Sequence, residues 1–500
     1  MSPTRREFLG AVGAISMAAR RPNILFAIAD DWSWPHNSAA GDKVVKTPAF
    51  DRVARDGVLF TNAISASPGC APSRAAILTG RVPWQLEEAG THASAFPDKF
   101  QVYPDLLEAA GYHVGLTGKG AGPCNWKAGG WKHNPAGPEY GARNFDKRPK
   151  GISATDYAAN FEDFLGKKGK DQPFCFWYGC HEPHRAYEAG AGLRSGKRLD
   201  DVTVPPFLPD CPEVRSDILD YYFEIEWFDR QLGRTLKLLE DAGELANTLV
   251  VVTGDNGMSF PGSKATMYEY GIHLPLAVSW PARAKGGRVV EDLVSFTDYA
   301  PTFLEAAGLP IPAVMTGRSW VDVLASNKSG RVDPRRTSAL SGRERHSHAR
   351  FDNLGYPARA LRTHEHLYIR NFKPDLWPAG DPPQFADIDN GPSKEYVLAN
   401  RDQEKVRKHF ELSCGKRPAE QLYDIRKDPG CTRNLAGAPA QAAVLGKLRS
   451  ELDRTLKAQR DPRALGAGDI FDSYPRYSPM RPELGGFAKQ GEYNPKFQPR

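Results

Sequence analysis

Carboxylate side chains follow two apolar segments of the sequence at the points where those segments end. Asp30 and Asp31 come directly after the apolar run 23–29, and Asp255 and Asn256 follow a β-branched run. Three carboxylates and one amide are oxygen ligands, which suit a hard divalent cation such as Ca²⁺ or Mg²⁺ better than zinc or copper. Either pair alone is also typical of a helix cap or a tight turn. Their recurrence at the ends of two strands favours a metal site.

Lysines and histidines stand in comparable positions. Lys119 lies between two glycines after a predicted strand, and Lys264 lies in a glycine-containing loop. Near a divalent cation each lysine could hold an anionic oxygen, whereas elsewhere each would be a solvated turn residue. His181 and His184 form a weak H-x-x-H pattern, which is shared by metal sites and by ordinary loop histidines. His273 is a weaker candidate for the same site.

The stretch SPGCAPSRAAILTG, residues 67–80, contains a cysteine one turn ahead of an arginine. A helix that begins near Pro72 places Cys70 at its amino end, where free N–H groups favour an anion. Arg74 lies four residues on and projects to the same side. A thiolate nucleophile with His181 as its base is one interpretation. A soft thiolate is a poor partner for a hard cation, however, so the oxygen ligands indicate that the group acting at position 70 carries oxygen.

Apolar strands alternate with helical segments between residues 23 and 306, which predicts an α/β domain with a mostly parallel sheet. In such sheets ligands bind beyond the carboxyl ends of the strands. We therefore expect the candidate residues to converge on one site. After about residue 325 the sequence becomes polar and turn-rich, and short strand candidates and one helix then predict a smaller α+β domain. The predicted organisation is a catalytic domain over 21–374 and a smaller domain with an extended tail over 375–500.

Composition excludes several classes of protein. A chain of 500 residues with 40% hydrophobic and 25% charged residues is an ordinary globular protein. The net charge of +6 comes without a lysine- or arginine-rich block, so no nucleic-acid partner is expected. Seven cysteines without a C-x-x-C pair argue against thiolate zinc sites. Whether Cys414 and Cys431 pair is left open.

The first 20 residues are typical of a twin-arginine signal peptide. Thr4-Arg5-Arg6-Glu7-Phe8-Leu9-Gly10 is followed by a weakly apolar segment that ends near Ala19. That segment is too short to span a bilayer, which takes about 20 residues. We expect export to a bacterial periplasm or secretion, without stable membrane insertion of the mature protein.

The stretch Cys70-Ala71-Pro72-Ser73-Arg74, followed by Leu78-Thr79-Gly80-Arg81, resembles the C-x-P-S-R…T-G-R signature of the type I sulfatases of the alkaline-phosphatase-like superfamily. Four further motifs occur in that family's order: N-I-L…A-D-D at 23–31, G-K-G at 118–120, H-E-P-H at 181–184 and G-D-N-G at 254–257. The resemblance implies an alkaline-phosphatase-like sandwich: a large, mostly parallel central sheet flanked by helices, plus a smaller C-terminal α+β domain with an antiparallel sheet.

The resemblance also implies roles for these residues. Cys70 would be oxidised to Cα-formylglycine (3-oxoalanine) by the formylglycine-generating enzyme, and its hydrate would attack sulfur. The implied ligands of Ca²⁺, with Mg²⁺ as the alternative, are Asp30, Asp31, Asp255, Asn256 and an oxygen of residue 70. Arg74 would stabilise the hydrate, Lys119 and Lys264 would bind sulfate oxygens, and His181 would be the general acid.

One position departs from the family pattern. Many relatives carry a histidine two residues after the lysine of the G-K motif, as a base for collapse of the sulfated hydrate. Here residues 118–122 read Gly-Lys-Gly-Ala-Gly. His133 or solvent could take that role, and the sequence does not decide between them.

Within the family the chain resembles heparan N-sulfatase (sulfamidase)-like members, which implies a sulfated saccharide substrate and a homodimer. N-sulfate and O-sulfate remain open. His184, His273, Arg359 and Arg362 are candidate substrate-binding residues, and a structural role for the two arginines is an equal alternative. Two other functions also remain open: a phosphodiesterase or phosphonate monoester hydrolase of the same superfamily, or a catalytically degenerate glycan-binding protein.

Overall fold

A computed structural model describes residues 21–498, so the predicted signal peptide, residues 1–20, lies outside the described residues. The chain is built on one large sheet and one small sheet. The strands of the large sheet are β1 (Asn23–Ala29), β2 (Val58–Ile64), β3 (His113–Gly118), β4 (Phe174–Gly179), β5 (Thr248–Gly254), β6 (His273–Ser279), β7 (Arg288–Val290) and β8 (Val294–Ser295). The strands of the small sheet are β9 (Ser338–Arg343), β10 (Ala358–Thr363), β11 (His366–Asn371) and β12 (Glu420–Asp424).

The large sheet is mostly parallel, as the alternation of strands and helices predicts. Its strand order is β3-β4-β1-β5-β6-β2-β7, with β8 paired to β2. Among its described strands only β6 runs antiparallel to its neighbours, β5 and β2. The four strands β3, β4, β1 and β5 lie side by side and parallel, so their carboxyl ends share one edge.

The α-helices in residues 21–498 are α1 (Pro48–Asp56), α2 (Cys70–Thr79), α3 (Tyr103–Ala109), α4 (Tyr157–Lys167), α5 (Ala191–Arg194), α6 (Pro212–Asp241), α7 (Glu269–Ile272), α8 (Tyr299–Ala306), α9 (Val321–Ala325), α10 (Pro392–Ala399), α11 (Glu404–Cys414), α12 (Ala442–Ala458) and α13 (Ile470–Ser473). The longest of these helices, α6, has 30 residues.

Side chains of β1 alternate between two apolar layers. Ile24 and Phe26 pack in one cluster with α2, α3 and α8, and Leu25 and Ala27 pack in a second with α1, α4 and α6. A strand buried on both faces must be apolar along its whole length. The chain therefore forms a sandwich of helices, sheet and helices, the fold predicted from the sequence.

The small sheet is antiparallel throughout, in the order β12-β11-β10-β9. One side is covered by the apolar face of α12, whose Leu448 and Leu452 pack with Leu361 and Tyr368. Three of the four strands, β9, β10 and β11, precede residue 375, and β12 follows it. The polar, turn-rich sequence around β9 gave no strand signal.

The C-terminal tail returns to the large domain. The Ser94 hydroxyl donates to the carbonyl of Pro475 at 2.7 Å, and the Tyr477 amide donates to the carbonyl of Ala93 at 2.8 Å.

All seven cysteines are free thiols, Cys414 and Cys431 included. Of the helices in residues 21–498, none combines the length and apolar character needed to cross a bilayer.

Arg359 on β10 connects the small sheet to Asp461, which follows α12, through buried hydrogen bonds. Its Nε donates to Asp461 Oδ2 at 2.8 Å and its Nη2 donates to Glu344 Oε1 at 2.8 Å. All three side chains are buried. A buried carboxylate needs this compensation because its desolvation is costly.

Replacing Arg359 with methionine should therefore destabilise the protein by about 3–5 kcal/mol, because it strands a buried carboxylate at Asp461. Urea and thermal unfolding midpoints measure the change. The matched control is Arg426→Met, which removes an exposed arginine 3.5 Å from Glu365 and should cost less than about 1 kcal/mol. Equal effects of the two substitutions would contradict the importance of this buried ion pair.

Candidate active site

The parallel strands bring the predicted site residues to one edge of the sheet. Asp30 and Asp31 follow β1, Lys119 follows β3, His181 lies two residues beyond β4, and Asp255 follows β5. These four strands are neighbours. Residues far apart in the sequence therefore meet because of the strand order.

Four of the predicted ligands form one buried cluster. Ligand atoms of Asp30, Asp31, Cys70 and Asp255 all lie within 4.8 Å of one another. Asn256 joins them, because its Nδ2 donates to Asp31 Oδ1 at 2.6 Å. The predicted metal ligands are thus together in the fold.

Helix α2 places Cys70 and Arg74 in this cluster. The helix starts at Cys70 after Gly69 and ends at Gly80, which adopts a left-handed conformation with φ of 64° and donates to the carbonyl of Ala76. Arg74 lies one turn after Cys70, fully buried, and its Nη1 donates to the carbonyl of Lys119 at 2.7 Å. The residues behind Arg74 pack into an apolar core, which fixes the helix against the sheet.

Each carboxylate of the cluster is paired with one cation. The partners are Asp30 with Lys119 at 2.5 Å, Asp31 with Lys264 at 2.5 Å, and Asp255 with Arg74 at 2.7 Å. Three negative charges are thus balanced by three positive charges. A divalent cation bound beside these three carboxylates would add positive charge to the site, which favours an anionic ligand.

Burial and charge act in opposite directions on these acids. Burial raises the pKa of Asp30, but Lys119, His184 and Arg74 together hold it well below its usual value. Burial and repulsion from Asp30 raise the pKa of Asp255 to about 6, against the opposing effect of Arg74. The cations are therefore needed to keep the cluster ionised.

Three buried polar atoms in the cluster lack a hydrogen-bond partner among the described residues. They are Asp30 Oδ1, Asn256 Oδ1 and Arg74 Nη2. Unpaired buried polar atoms are costly, so two oxygens and one guanidinium nitrogen without partners in one cluster fit a ligand-binding site. The two oxygens lie with the carboxylates of Asp31 and Asp255, and such oxygen donors suit the predicted hard divalent cation.

The surroundings of Cys70 disfavour the thiolate form of its side chain. Burial and the charge of Asp30 raise its pKa well above the usual value. At neutral pH the group is a protonated thiol, whereas nucleophilic and metal-binding cysteines are thiolates. An oxygen-bearing group at position 70 is compatible with the surrounding carboxylates and cations.

A cavity of about 680 Å³ opens above the cluster. Asp30, Cys70, Lys119 and His181 line one part of it, and other walls include Ser153, His184, Arg185, Glu224 and Ser478. This volume lies in the range of small-molecule sites, about 300–1,000 Å³. Desolvation and then Lys119 lower the pKa of His181, so its imidazole is neutral in the free site. A bound anion would favour its protonated form.

The structure brings His184 to the site and leaves three other candidates elsewhere. His184 lines the cavity, with its Nε2 3.9 Å from Asp31 Oδ2. His273 lies between the carboxylate of Glu269 and the carbonyl of Thr61. Arg362 pairs with Glu269 at 3.1 Å, and Arg359 lies in the buried ion pair described above. The contacts of His273, Arg359 and Arg362 therefore support structural roles. For the two arginines this is the alternative that the sequence left open.

The position two residues after Lys119 holds an alanine in place of the histidine that many relatives carry. Ala121 is fully buried at that position, and Gly120 approaches Asn134 so closely that a Cβ would lie 2.4 Å from its Oδ1. His133 does not line the cavity, and its Nδ1 is 2.9 Å from the carbonyl of Asn134.

Several wall residues were not identified from the sequence. His92 lines the cavity, and its ring lies against that of His346 with centroids 4.3 Å apart and planes tilted by 39°. Asp389 lies 3.5 Å from Lys264. Glu224 and Ser478 complete the walls. These residues stand in unremarkable local sequence, so only the fold reveals them.

A sequence profile described as Sulfatase matches residues 22–309 of this chain, the region that carries every residue of the cluster. The chain belongs to the sulfatase family. Its members hydrolyse sulfuric esters or sulfamates, and the observed sandwich is the fold expected of it.

Two relatives and one solved structure are similar along most of their lengths. The human protein N-sulphoglucosamine sulphohydrolase is 29% identical over 93% of this chain and 96% of its own. An ulvan-active sulfatase of Formosa agariphila is 28% identical over 90% of this chain and 77% of its own. A protein solved in complex with its substrate D-glucosamine-2-N,6-O-disulfate has a TM-score of 0.65 at 22% identity, covering 88% of this chain and 98% of that one. The last likeness concerns the fold.

Calcium should raise the melting temperature of chelator-treated protein, because it binds the folded site and not the unfolded chain. Free Ca²⁺ at 100 times its dissociation constant contributes about 2.7 kcal/mol. Asp30→Asn should abolish most of this shift, and calorimetric titration with Ca²⁺ and Mg²⁺ measures the binding directly.

The control for this experiment is Asp56→Asn, which removes a half-exposed carboxylate on α1. It should retain the full calcium effect. A wild-type protein with no Ca²⁺- or Mg²⁺-dependent shift, or an Asp30→Asn protein that shifts equally, would contradict the assignment of the cluster as a metal site.

Proposed function

We propose that this protein releases sulfate from sulfated saccharides, and that N-sulfated glucosamine is its best substrate. The observation that carries the proposal is the position of Cys70. The first residue of the C-x-P-S-R motif lies at the base of a cavity, within 4.8 Å of three carboxylates that are each backed by a cation. This arrangement suits the handling of a sulfate group beside a divalent metal.

The proposed resident metal is Ca²⁺, with Mg²⁺ as the alternative, held by Asp30, Asp31, Asp255 and Asn256. A bound divalent cation would supply positive charge that polarises an oxygen at position 70 and offsets charge on the sulfate. We further propose that Cys70 is oxidised to formylglycine by the formylglycine-generating enzyme, which gives this position the oxygen nucleophile that the thiol cannot provide.

The cations of the chain would orient the sulfate. Lys119 and Lys264 flank the cluster on its two sides, paired to Asp30 and Asp31. Arg74 is held by Asp255 and by the carbonyl of Lys119, and its free Nη2 is directed toward Asp30 Oδ1 at 3.8 Å. Rigid, buried donors of this kind stabilise developing negative charge without reorganising.

His181 would hold the proton for the leaving group. It follows β4 on the cavity side of Lys119 and remains exposed to the cavity. The amine or alkoxide of a saccharide is a poor leaving group, so proton donation from His181 is part of the proposed reaction.

The choice of substrate rests on similarity. The human relative is named for N-sulphoglucosamine, and the solved structure contains a glucosamine with 2-N and 6-O sulfates. The ulvan-active relative also acts on a sulfated polysaccharide. These names support a sulfated sugar as substrate. They favour N-sulfate over O-sulfate because the relative named for N-sulphoglucosamine matches the larger share of both chains.

Export through the twin-arginine route to the periplasm or beyond is also proposed, from residues 1–20 of the sequence. We also propose that the protein forms a homodimer, as its resemblance to sulfamidase-like members implies. A periplasmic location would bring the enzyme to saccharide fragments that the cell imports.

Substitution of Cys70 by alanine should lower sulfate release by at least about 10³-fold, because it removes the nucleophile. The assay compares N-, 2-O- and 6-O-sulfated glucosamine with 4-nitrophenyl phosphate and a phosphonate monoester. Cys124→Ala is the control, since this thiol lies outside the metal cluster. Normal sulfate release by Cys70→Ala, or faster wild-type cleavage of the phosphorus esters, would overturn the proposal.

Substitution of His181 by alanine should lower kcat for a saccharide sulfate by about 10²–10⁴-fold, the usual contribution of a general acid. The loss should be much smaller for 4-nitrophenyl sulfate, whose phenolate leaves without a proton. Steady-state kinetics on the two substrates test this, with His133→Ala as a control outside the cavity. A uniform loss on both substrates would contradict the acid role.

A further inference from the structure

One buried acid on the cavity wall has a carboxyl oxygen that no group in residues 21–498 hydrogen-bonds. Glu224 lies in the middle of α6, is 2% exposed, and lines the same cavity as Cys70. Its Oε2 has no hydrogen-bond partner among the described residues. A buried carboxyl oxygen without a hydrogen bond costs about 1–3 kcal/mol and calls for an explanation.

The other buried acids of α6 are fully engaged. Asp217 accepts two hydrogen bonds from Arg185, at 2.7 and 2.6 Å. Asp220 accepts from the backbone amides of Gly190 and Gly192, and Asp229 accepts from two amides at the start of α1. The missing partner of Glu224 is therefore not a general property of this helix.

Arg185, the cation whose charge acts on Glu224, directs its hydrogen bonds to other groups. Both Nη atoms of Arg185 donate hydrogen bonds to Asp217, and its Nε donates to the carbonyl of Ser259 at 2.9 Å. Its guanidinium also lies over the rings of Tyr187 and Phe260. Arg185 is thus a fixed part of the wall.

Burial and the neighbouring Glu182 raise the pKa of Glu224 well above its usual value, and Arg185 opposes this only in part. This shift favours the neutral carboxylic acid over the carboxylate. A neutral acid both donates and accepts one hydrogen bond, and it does not repel an anionic substrate.

The backbone at Gly151 lies directly against the carboxyl group of Glu224. Gly151 also lines the cavity, at a φ of 89°, and a Cβ there would lie 3.2 Å from Glu224 Oε1. Glycine at this position keeps side-chain atoms away from the carboxyl group. Ser153, two residues on, belongs to the same wall.

We propose that Glu224, with the wall formed by Gly151 and Ser153, is a subsite for the hydroxyl groups of the sugar whose sulfate lies at residue 70. Sugar hydroxyls donate and accept hydrogen bonds in the pattern that an unpaired carboxylic acid offers. This inference rests on the proposed function, because it names how the saccharide part of the substrate is recognised.

The test compares Glu224→Leu and Glu224→Gln on N-sulfoglucosamine and on 4-nitrophenyl sulfate, which has no sugar hydroxyl. Leucine should lower kcat/KM for the saccharide about 10- to 100-fold, because it removes the hydrogen bonds, and should affect the aryl sulfate far less. Glutamine, which also donates and accepts, should restore most of the saccharide activity. The melting temperature of Glu224→Leu should equal or exceed that of wild type, because an unpaired buried polar group is removed.

Glu226→Gln is the matched control on the same helix, where the acid pairs with Lys197 away from the cavity. It should leave both activities unchanged. Equal losses of Glu224→Leu on both substrates together with a lower melting temperature, or no loss on either, would overturn the subsite.

Calorimetric binding of unsulfated glucosamine separates this inference from the proposed function. Binding to wild type and to Glu224→Gln but not to Glu224→Leu supports the subsite even if no sulfate is released, and that absence of release counts against the proposed function alone. Equal binding by all three proteins would overturn the subsite even in an active sulfatase.

Discussion

The site depends on one electrostatic constraint: three carboxylates lie together in a buried space. Asp30, Asp31 and Asp255 would repel one another and lose hydration if nothing compensated them. Lys119, Lys264 and Arg74 supply that compensation one to one. The same cations then face any group that enters the cavity. The cluster that fits a metal and the surface that attracts an anion are thus two aspects of one charge arrangement.

The parallel sheet is what makes this arrangement available. Neighbouring parallel strands end at one edge, so each can deliver a polar residue there while its interior stays apolar on both faces. Helix α2 adds position 70 and Arg74 from outside the sheet. The buried thiol of Cys70 lies beside the three carboxylates and their cations, where an oxygen-bearing group would be more compatible than sulfur with a hard cation. The tail and the long helix α6 close the cavity with Ser478 and Glu224, residues that do not belong to the metal cluster.

The parts of the fold that follow local rules could be predicted from the sequence. The run 23–29 is β1 because a strand buried on both faces must be apolar, and the polar residues after it mark the edge of the sheet. Strand β9 escaped prediction because its sequence is polar and its stability comes from pairing with β10. Arg359 and Arg362 gave no local sign of their acidic partners, which lie far away in the sequence. Glu224 looked like any helical acid, and its missing partner is visible only in three dimensions.

The most direct test of the account measures the chemical state of residue 70 and sulfate release in the same samples. Preparations made with different amounts of the formylglycine-generating enzyme would differ in the fraction of residue 70 present as aldehyde, which peptide mass spectrometry quantifies. The account predicts that specific activity on N-sulfoglucosamine rises in proportion to that fraction and extrapolates to zero for the unmodified thiol. Full activity in a preparation whose residue 70 is entirely cysteine would contradict it.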